Sequence, residues 1–195
     1  RLGIQTVTGL CLEVALTQRL FRAPEFDLPM EAIRRHCVSV GHIARQLLVR
    51  AGAKPNHAFL LGLLHDTGVA AGVLALRAPG FWARRIEIAE AWPTILLVHG
   101  ELTARLLAFW SVGRGYASAL RIHHDLTMPR TQEHAALVLA DHLAAELGRG
   151  LPEIEGHREV CGKALLTRCR ELIGMPHARL VAVAFEVTKL LDQHG

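Results

Sequence analysis

The sequence predicts an all-α fold, a multi-helix bundle, on three observations. Ala, Leu, Val and Arg dominate the composition, and most of these are good helix formers. Few stretches alternate apolar and polar residues with period two, the pattern of a half-buried strand. Apolar residues recur instead at helical spacing, as at Val7, Leu10, Cys11, Val14 and Phe21.

Those five residues predict a first amphipathic helix over Gln5–Phe21, interrupted on its apolar face by Thr17 and Gln18. "RAPEFDLPM" (22–30) holds two prolines and reads as a connector. A second helix is expected from Met30 to Arg50, ending at Gly52. A third should start after Pro55, carry "HAFLLGLLHD" and stop at Thr67–Gly68 with the glycine as its C-cap. Short helical pieces follow at 69–77 and 80–91, and Pro93 opens a segment that ends near Trp110. Beyond a turn at Gly113–Gly115 comes a helix bearing His123 and His124, then a loop at "LTMPR", then a helix over 131–147. Gly148–Pro152 marks a boundary, and helices at 156–173 and 177–193 read as a packing layer.

At 195 residues, 51% hydrophobic and 21% charged, the chain is globular and large enough to bury a polar site. The net charge is +4 and the pI about 9.2, with the arginines spread along the chain. No basic run with interleaved aromatics marks a nucleic-acid surface, so that class ranks low. An anionic ligand is compatible with this balance but not implied by it. Cys11, Cys37, Cys161 and Cys169 form no C-x-x-C pair and are expected as reduced core residues of a cytoplasmic protein. No signal peptide is visible, and no apolar stretch is expected to approach the ~18 residues of a membrane span. The chain opens at Arg1 inside helical sequence, which suggests a piece of a longer protein.

Seven polar residues sit awkwardly in apolar company: His36, His65, Asp66, His99, His123, His124 and Asp141. Imidazole and carboxylate without thiolate form a ligand set for Zn, Mn or Fe. Inward-facing ligands from several helices are one way to build a two-metal site in a bundle. There the doublet His65–Asp66, placed at a helix end, could straddle two ions with Asp66 bridging both and a water activated between them. Hydrogen-bonded core histidines, and an Asp141 satisfied by an arginine, would leave the same pattern in sequence. His42, His57, His134, His142, His157, His177 and His194 fit no consistent spacing and are expected at the surface or behind the site.

The order His…His-Asp…His…His-His…Asp resembles the HD superfamily of metal-dependent phosphohydrolases, whose doublet is seen here in "LLHDTG" (63–68). Within it the chain is most similar to the HDOD domain, a bacterial signalling relative of cyclic-dinucleotide phosphodiesterases. The stretches that carry this are "RLGIQTVTGL" (1–10), "RRHCVSVGHIARQLL" (34–48), "AFLLGLLHDTGV" (58–69), "HGELTARLLAFW" (99–110), "ALRIHHD" (119–125) and "LVLADHLAAELG" (137–148). The resemblance implies the end of an N-terminal helical subdomain at 1–22, an HD-like metal-binding core at 23–150 and C-terminal packing helices at 151–195. It also implies that His36, His65, Asp66 and Asp141 hold one metal, and Asp66, His99, His123 and His124 another. The sequence departs from active cyclic-dinucleotide enzymes at three places. Val69 stands where they carry a lysine, "HHDLTMPR" where they carry glycine-tyrosine-proline, and Ala32 where a further acidic ligand would lie.

Two functions are expected from this. One is a regulatory or scaffolding module in a signalling pathway, with protein partners or further domains and one or two divalent ions (Fe, Mn, Zn or Mg). The alternative is a working phosphohydrolase or phosphodiesterase on a nucleotide or cyclic dinucleotide, with Asp66 as the metal-bridging residue of catalysis. Neither involves a membrane.

Overall fold

The computed structural model describes residues 15, 20–52, 58–78, 80, 82, 84–112, 120–121, 123–124, 129, 131–154 and 161–192. It is all-helical, with no strand among the described residues. Most of the helix expected over Gln5–Phe21 lies outside them; Ala15 is helical, and Leu20 and Phe21 are buried.

A 3-10 turn, Pro24–Phe26, leads directly into α1, Asp27–Arg50. The helix therefore begins three residues before the expected Met30. Pro29 permits this because first-turn N–H groups have no partner inside the helix. The helix ends where Gly52 turns left-handed at φ 82°, as its sequence suggested. α2 spans Ala58–Leu64 and α3 spans Thr67–Ala75, with His65 and Asp66 in the turn between them. Gly68 is thus not the C-cap of a helix ending at Thr67–Gly68; it lies in the first turn of the next helix. Its role is steric, since an added Cβ would stand 2.0 Å from the His99 carbonyl oxygen.

α4 runs over Ile88–Phe109, so Pro93 lies inside this helix instead of opening it. Pro93 is exposed, and water can satisfy the carbonyl that loses its helical partner there. The described residues of 80–87 are turn, bend or coil, which corrects the helical piece expected at 80–91. α5, Gln132–Glu146, starts at an N-cap in which Thr131 accepts from the His134 amide at 3.1 Å. α6 covers Lys163–Leu172 and α7 covers His177–Asp192. Cys161 and Gly162 are not helical, so α6 begins later than the expected 156.

α1 is the central rod, packed against α2, α5 and α7, while α3 packs on α4 and α6 on α5. Met30, Ile33, Ile43, Leu47, Leu63, Leu107 and Trp92 fill the core. Val183 and Val187 bury the inner face of α7. At the α1–α2 crossing the backbones touch: a Cβ on Gly62 would lie 2.6 Å from the Gly41 Cα. That contact brings the end of α2, and His65 beyond it, against the helix that carries His36.

Contrary to the sequence expectation, one apolar stretch does reach membrane-spanning length, Ala58–Ala75. It is mostly buried inside the bundle, and the His65–Asp66 turn divides it into α2 and α3. Cys37 and Cys169 are buried free thiols and Cys161 is half-buried; Cys11 lies outside the described residues.

Candidate metal centre

Asp66 sits in the turn between α2 and α3 and is almost wholly buried. Histidines from four segments surround it: His36 from α1, His65 from its own turn, His99 from α4, and His123 and His124 from a turn beyond the helical Leu120 and Arg121. Its two oxygens face different neighbours. Oδ2 lies 3.2 Å from His65 Nε2 and 3.4 Å from His36 Nε2. Oδ1 lies 3.1 Å from His123 Nε2, 3.4 Å from His99 Nε2 and 3.8 Å from His124 Nε2. Two groups with ligand-type atoms mutually close result, His36–His65–Asp66 and Asp66–His99–His123–His124, sharing the one carboxylate. Asp141, on α5, stands at the edge of the first, with Oδ1 3.3 Å from His36 Nε2 and its side chain 24% exposed. All seven sequence candidates therefore come together at one place.

The protons on these rings can be assigned from their partners. His65, His99 and His123 each use Nδ1 to reach the backbone carbonyl three residues back: Gly62 at 2.6 Å, Leu96 at 2.5 Å and Leu120 at 2.6 Å. His36 Nδ1 reaches the Arg149 carbonyl at 2.9 Å. A carbonyl only accepts, so each Nδ1 carries the hydrogen and donates it. In the neutral ring Nε2 is then a lone pair. These lone pairs face one another, His36 to His65 at 3.1 Å and His99 to His123 at 3.3 Å, around a carboxylate that only accepts. Asp66 Oδ2 is buried and makes no hydrogen bond. So many buried acceptors packed together need a cation between them. Imidazoles held by backbone carbonyls and aimed through the opposite nitrogen are what a metal site requires of its surroundings. The residues fit a divalent ion.

The electrostatics agree. Burial disfavours the Asp66 carboxylate, yet the histidines packed around it, His65 foremost and then His123, His124 and His36, hold its pKa well below the usual carboxylate value. Burial, with His124 alongside, pushes His123 down to about 3, so that ring stays neutral and keeps its lone pair. For His36 burial is again the largest effect, but Asp66 and Asp141 outweigh it and raise the pKa.

The cluster opens to a cavity of about 650 Å³ whose lining includes Asp66, His99, His124, Asp141, Glu146 and Glu153. Trp92 and Cys161 also line it. A second cleft of about 500 Å³ reaches His99 and His124 past Gly100, Glu101 and Arg121.

Of the other histidines, His142 lines the larger cavity, His42 packs edge-on against Phe59, and His177 is exposed. His134 is buried, because α5 is enclosed from His134 to Ala140. His57, His157 and His194 lie outside the described residues. Sequence reasoning missed Thr103 of α4, whose hydroxyl donates to the His65 carbonyl at 3.0 Å and accepts from the Gly68 amide at 2.9 Å. A threonine in an apolar helix gives no signal of this kind.

No curated protein and no solved structure gives a significant match to the chain. The family model of the HDOD domain matches residues 1–126, a span that holds every residue of both groups and ends before Asp141. On that match, over well more than half of its length, the chain belongs to the HDOD domain family.

Proposed function

We propose that this HDOD domain is a regulatory module of a bacterial, cytoplasmic signalling protein, built around a divalent metal centre. The observation that carries the metal reading is the convergence of four carbonyl-locked imidazoles, lone pairs inward, on the two oxygens of Asp66. His36, His65 and Asp66, with Asp141, would hold one ion, and Asp66, His99, His123 and His124 a second. When bound, such a pair supplies Lewis acidity and a water of lowered pKa. The chain's own residues fix the imidazole tautomers, bury Asp66 and leave the outer side of the cluster open to the cavity.

Two features support regulation over turnover. Val69, where the resemblance places a phosphate-contacting lysine in active enzymes, is wholly buried in the core. The described residues lining the larger cavity include Asp141, Glu146 and Glu153 but no lysine or arginine, so among them no side-chain cation stands ready to hold a phosphate beside the metal. In this reading the domain acts through protein partners or neighbouring domains. One observation favours the alternative phosphohydrolase: the same cavity gives a ligand a direct path to Asp66, His99 and His124.

Metal analysis of protein purified without chelator tests the centre. About two equivalents of Fe, Mn, Zn or Mg, as expected of a two-ion site, should be found and should be lost in Asp66→Ala. Metal-free protein, with wild-type stability in that variant, would overturn the reading. A turnover screen of the loaded protein against nucleotides, phosphodiesters and cyclic dinucleotides should find no hydrolysis; turnover abolished by Asp66→Ala would establish the enzyme instead.

A further inference from the structure

We propose that Thr103 is the positioning residue that sets Asp66 between the two histidine groups, an inference that rests on the metal reading above. Its hydroxyl takes the place of a hydrogen bond within the backbone. In a closed four-residue turn the carbonyl of the first residue accepts directly from the amide of the fourth. In the turn His65-Asp66-Thr67-Gly68 the Thr103 hydroxyl stands between them, donating to the His65 carbonyl at 3.0 Å and accepting from the Gly68 amide at 2.9 Å. Those two atoms bound the stretch of chain that carries Asp66, so holding both holds the carboxylate.

The hydroxyl comes from α4, one turn beyond His99, so a single helix presents His99 and grips the turn that presents His65 and Asp66. Gly68 makes the grip possible: a Cβ there would stand 2.0 Å from the His99 carbonyl oxygen and 2.7 Å from Thr103 Oγ1. Thr103 is wholly buried, so no water can replace the hydroxyl. The neighbouring Thr67 does a separate task, donating to the Leu64 carbonyl at 2.9 Å and closing the end of α2. Through Thr103 the separation of the two histidine groups is tied to the packing of α3 on α4.

The test compares wild type with Thr103→Val, which keeps the shape without the hydroxyl, and Thr103→Ser, which keeps the hydroxyl. Val187→Ala, on α7, serves as a stability control remote from the cluster. Zinc affinity is measured by chelator competition, and imidazole nitrogen shifts, which report the Nδ1–H tautomer, by NMR on metal-free protein. Thr103→Val should weaken zinc 10- to 100-fold, the usual range for residues that orient ligands, while Thr103→Ser stays within about threefold. The His65 and His99 nitrogen shifts should move in the valine variant alone. Wild-type affinity in the valine variant, an equal loss in the serine variant, or an equal loss in Val187→Ala at a matched fall in Tm would each overturn the proposal. Should wild-type protein bind no zinc, the metal reading fails, and the metal-free nitrogen shifts then decide the role of Thr103 alone.

Discussion

His36 Nε2 and His65 Nε2 stand 3.1 Å apart, each on a ring whose hydrogen is held at the opposite nitrogen by a backbone carbonyl. Two buried lone pairs at hydrogen-bond distance repel unless a cation lies between them. A proton on His36, favoured by Asp66 and Asp141 against the cost of burial, can serve one side of the cluster. It does nothing for the second pair, His99 and His123, 3.3 Å apart on the other oxygen of Asp66. In the two-ion reading, a cation at each face of that carboxylate would relieve both contacts.

Asp66→Asn follows from this division of oxygens. The amide preserves size but removes the charge shared by both groups, so affinity should fall at both. His36→Ala should weaken only the Oδ2 side, and His123→Ala only the Oδ1 side. We expect the asparagine variant to lose at least about 100-fold in affinity at each site, beyond what residues behind the ligands usually contribute. Metal stoichiometry in the three variants checks this, and retention of one full equivalent in Asp66→Asn would refute the shared carboxylate.

The doublet His65–Asp66 and its partners were legible in the sequence because polar side chains stand out against leucine and valine. The all-helical class was legible from spacing, and helix ends failed where tertiary contact decided them. Gly68 reads as a cap by residue type, yet it is placed by the approach of α4 to α3, which no local pattern encodes. Pro93 reads as a helix start, yet it sits exposed within α4, where losing one solvent-side bond costs little. Thr103 was invisible for a related reason: its partners are backbone atoms 35 and 38 residues away.

Acid should unfold the metal-free domain. His123 has a folded pKa of about 3, against the ordinary 6.5 in the unfolded chain. Below pH 6.5 the unfolded state takes up a proton that the folded state refuses. Stability therefore falls as pH drops toward 3, at roughly 1.4 kcal/mol per pH unit from this group. Asp66 adds to the loss below about pH 4, because its lowered pKa stabilises the fold only while the unfolded carboxyl is also ionised. His36 works the other way: its raised pKa contributes stability below 6.5 that disappears as pH rises through the folded value. Below pH 6.5 the His36 contribution is already complete, so it does not offset the losses from His123 and Asp66 as pH falls further. Melting temperature against pH in the presence of chelator should show it, and His123→Gln should flatten the slope between pH 6 and 4. An equally steep slope in that variant would assign the acid sensitivity elsewhere.

Gly68→Ala sets two known effects against each other. Inside a helix, replacing glycine by alanine ordinarily gains about 1 kcal/mol from backbone entropy. Here the new methyl would meet the His99 carbonyl oxygen at 2.0 Å and the Thr103 amide nitrogen at 2.7 Å, and both are backbone atoms of α4 that no rotamer change can move. Relief requires α3 and α4 to separate, and overpacking of this kind typically costs 1–3 kcal/mol, occasionally more. The clash should win, so the variant should be less stable by about 2 kcal/mol despite its better helix propensity. Separation would also draw His99 away from Asp66 Oδ1, now 3.4 Å from His99 Nε2, so the loss of stability should come with weaker metal binding. Chemical denaturation and metal titration of the same variant check both, and a stabilised Gly68→Ala would mean that the two helices are not in contact at this point.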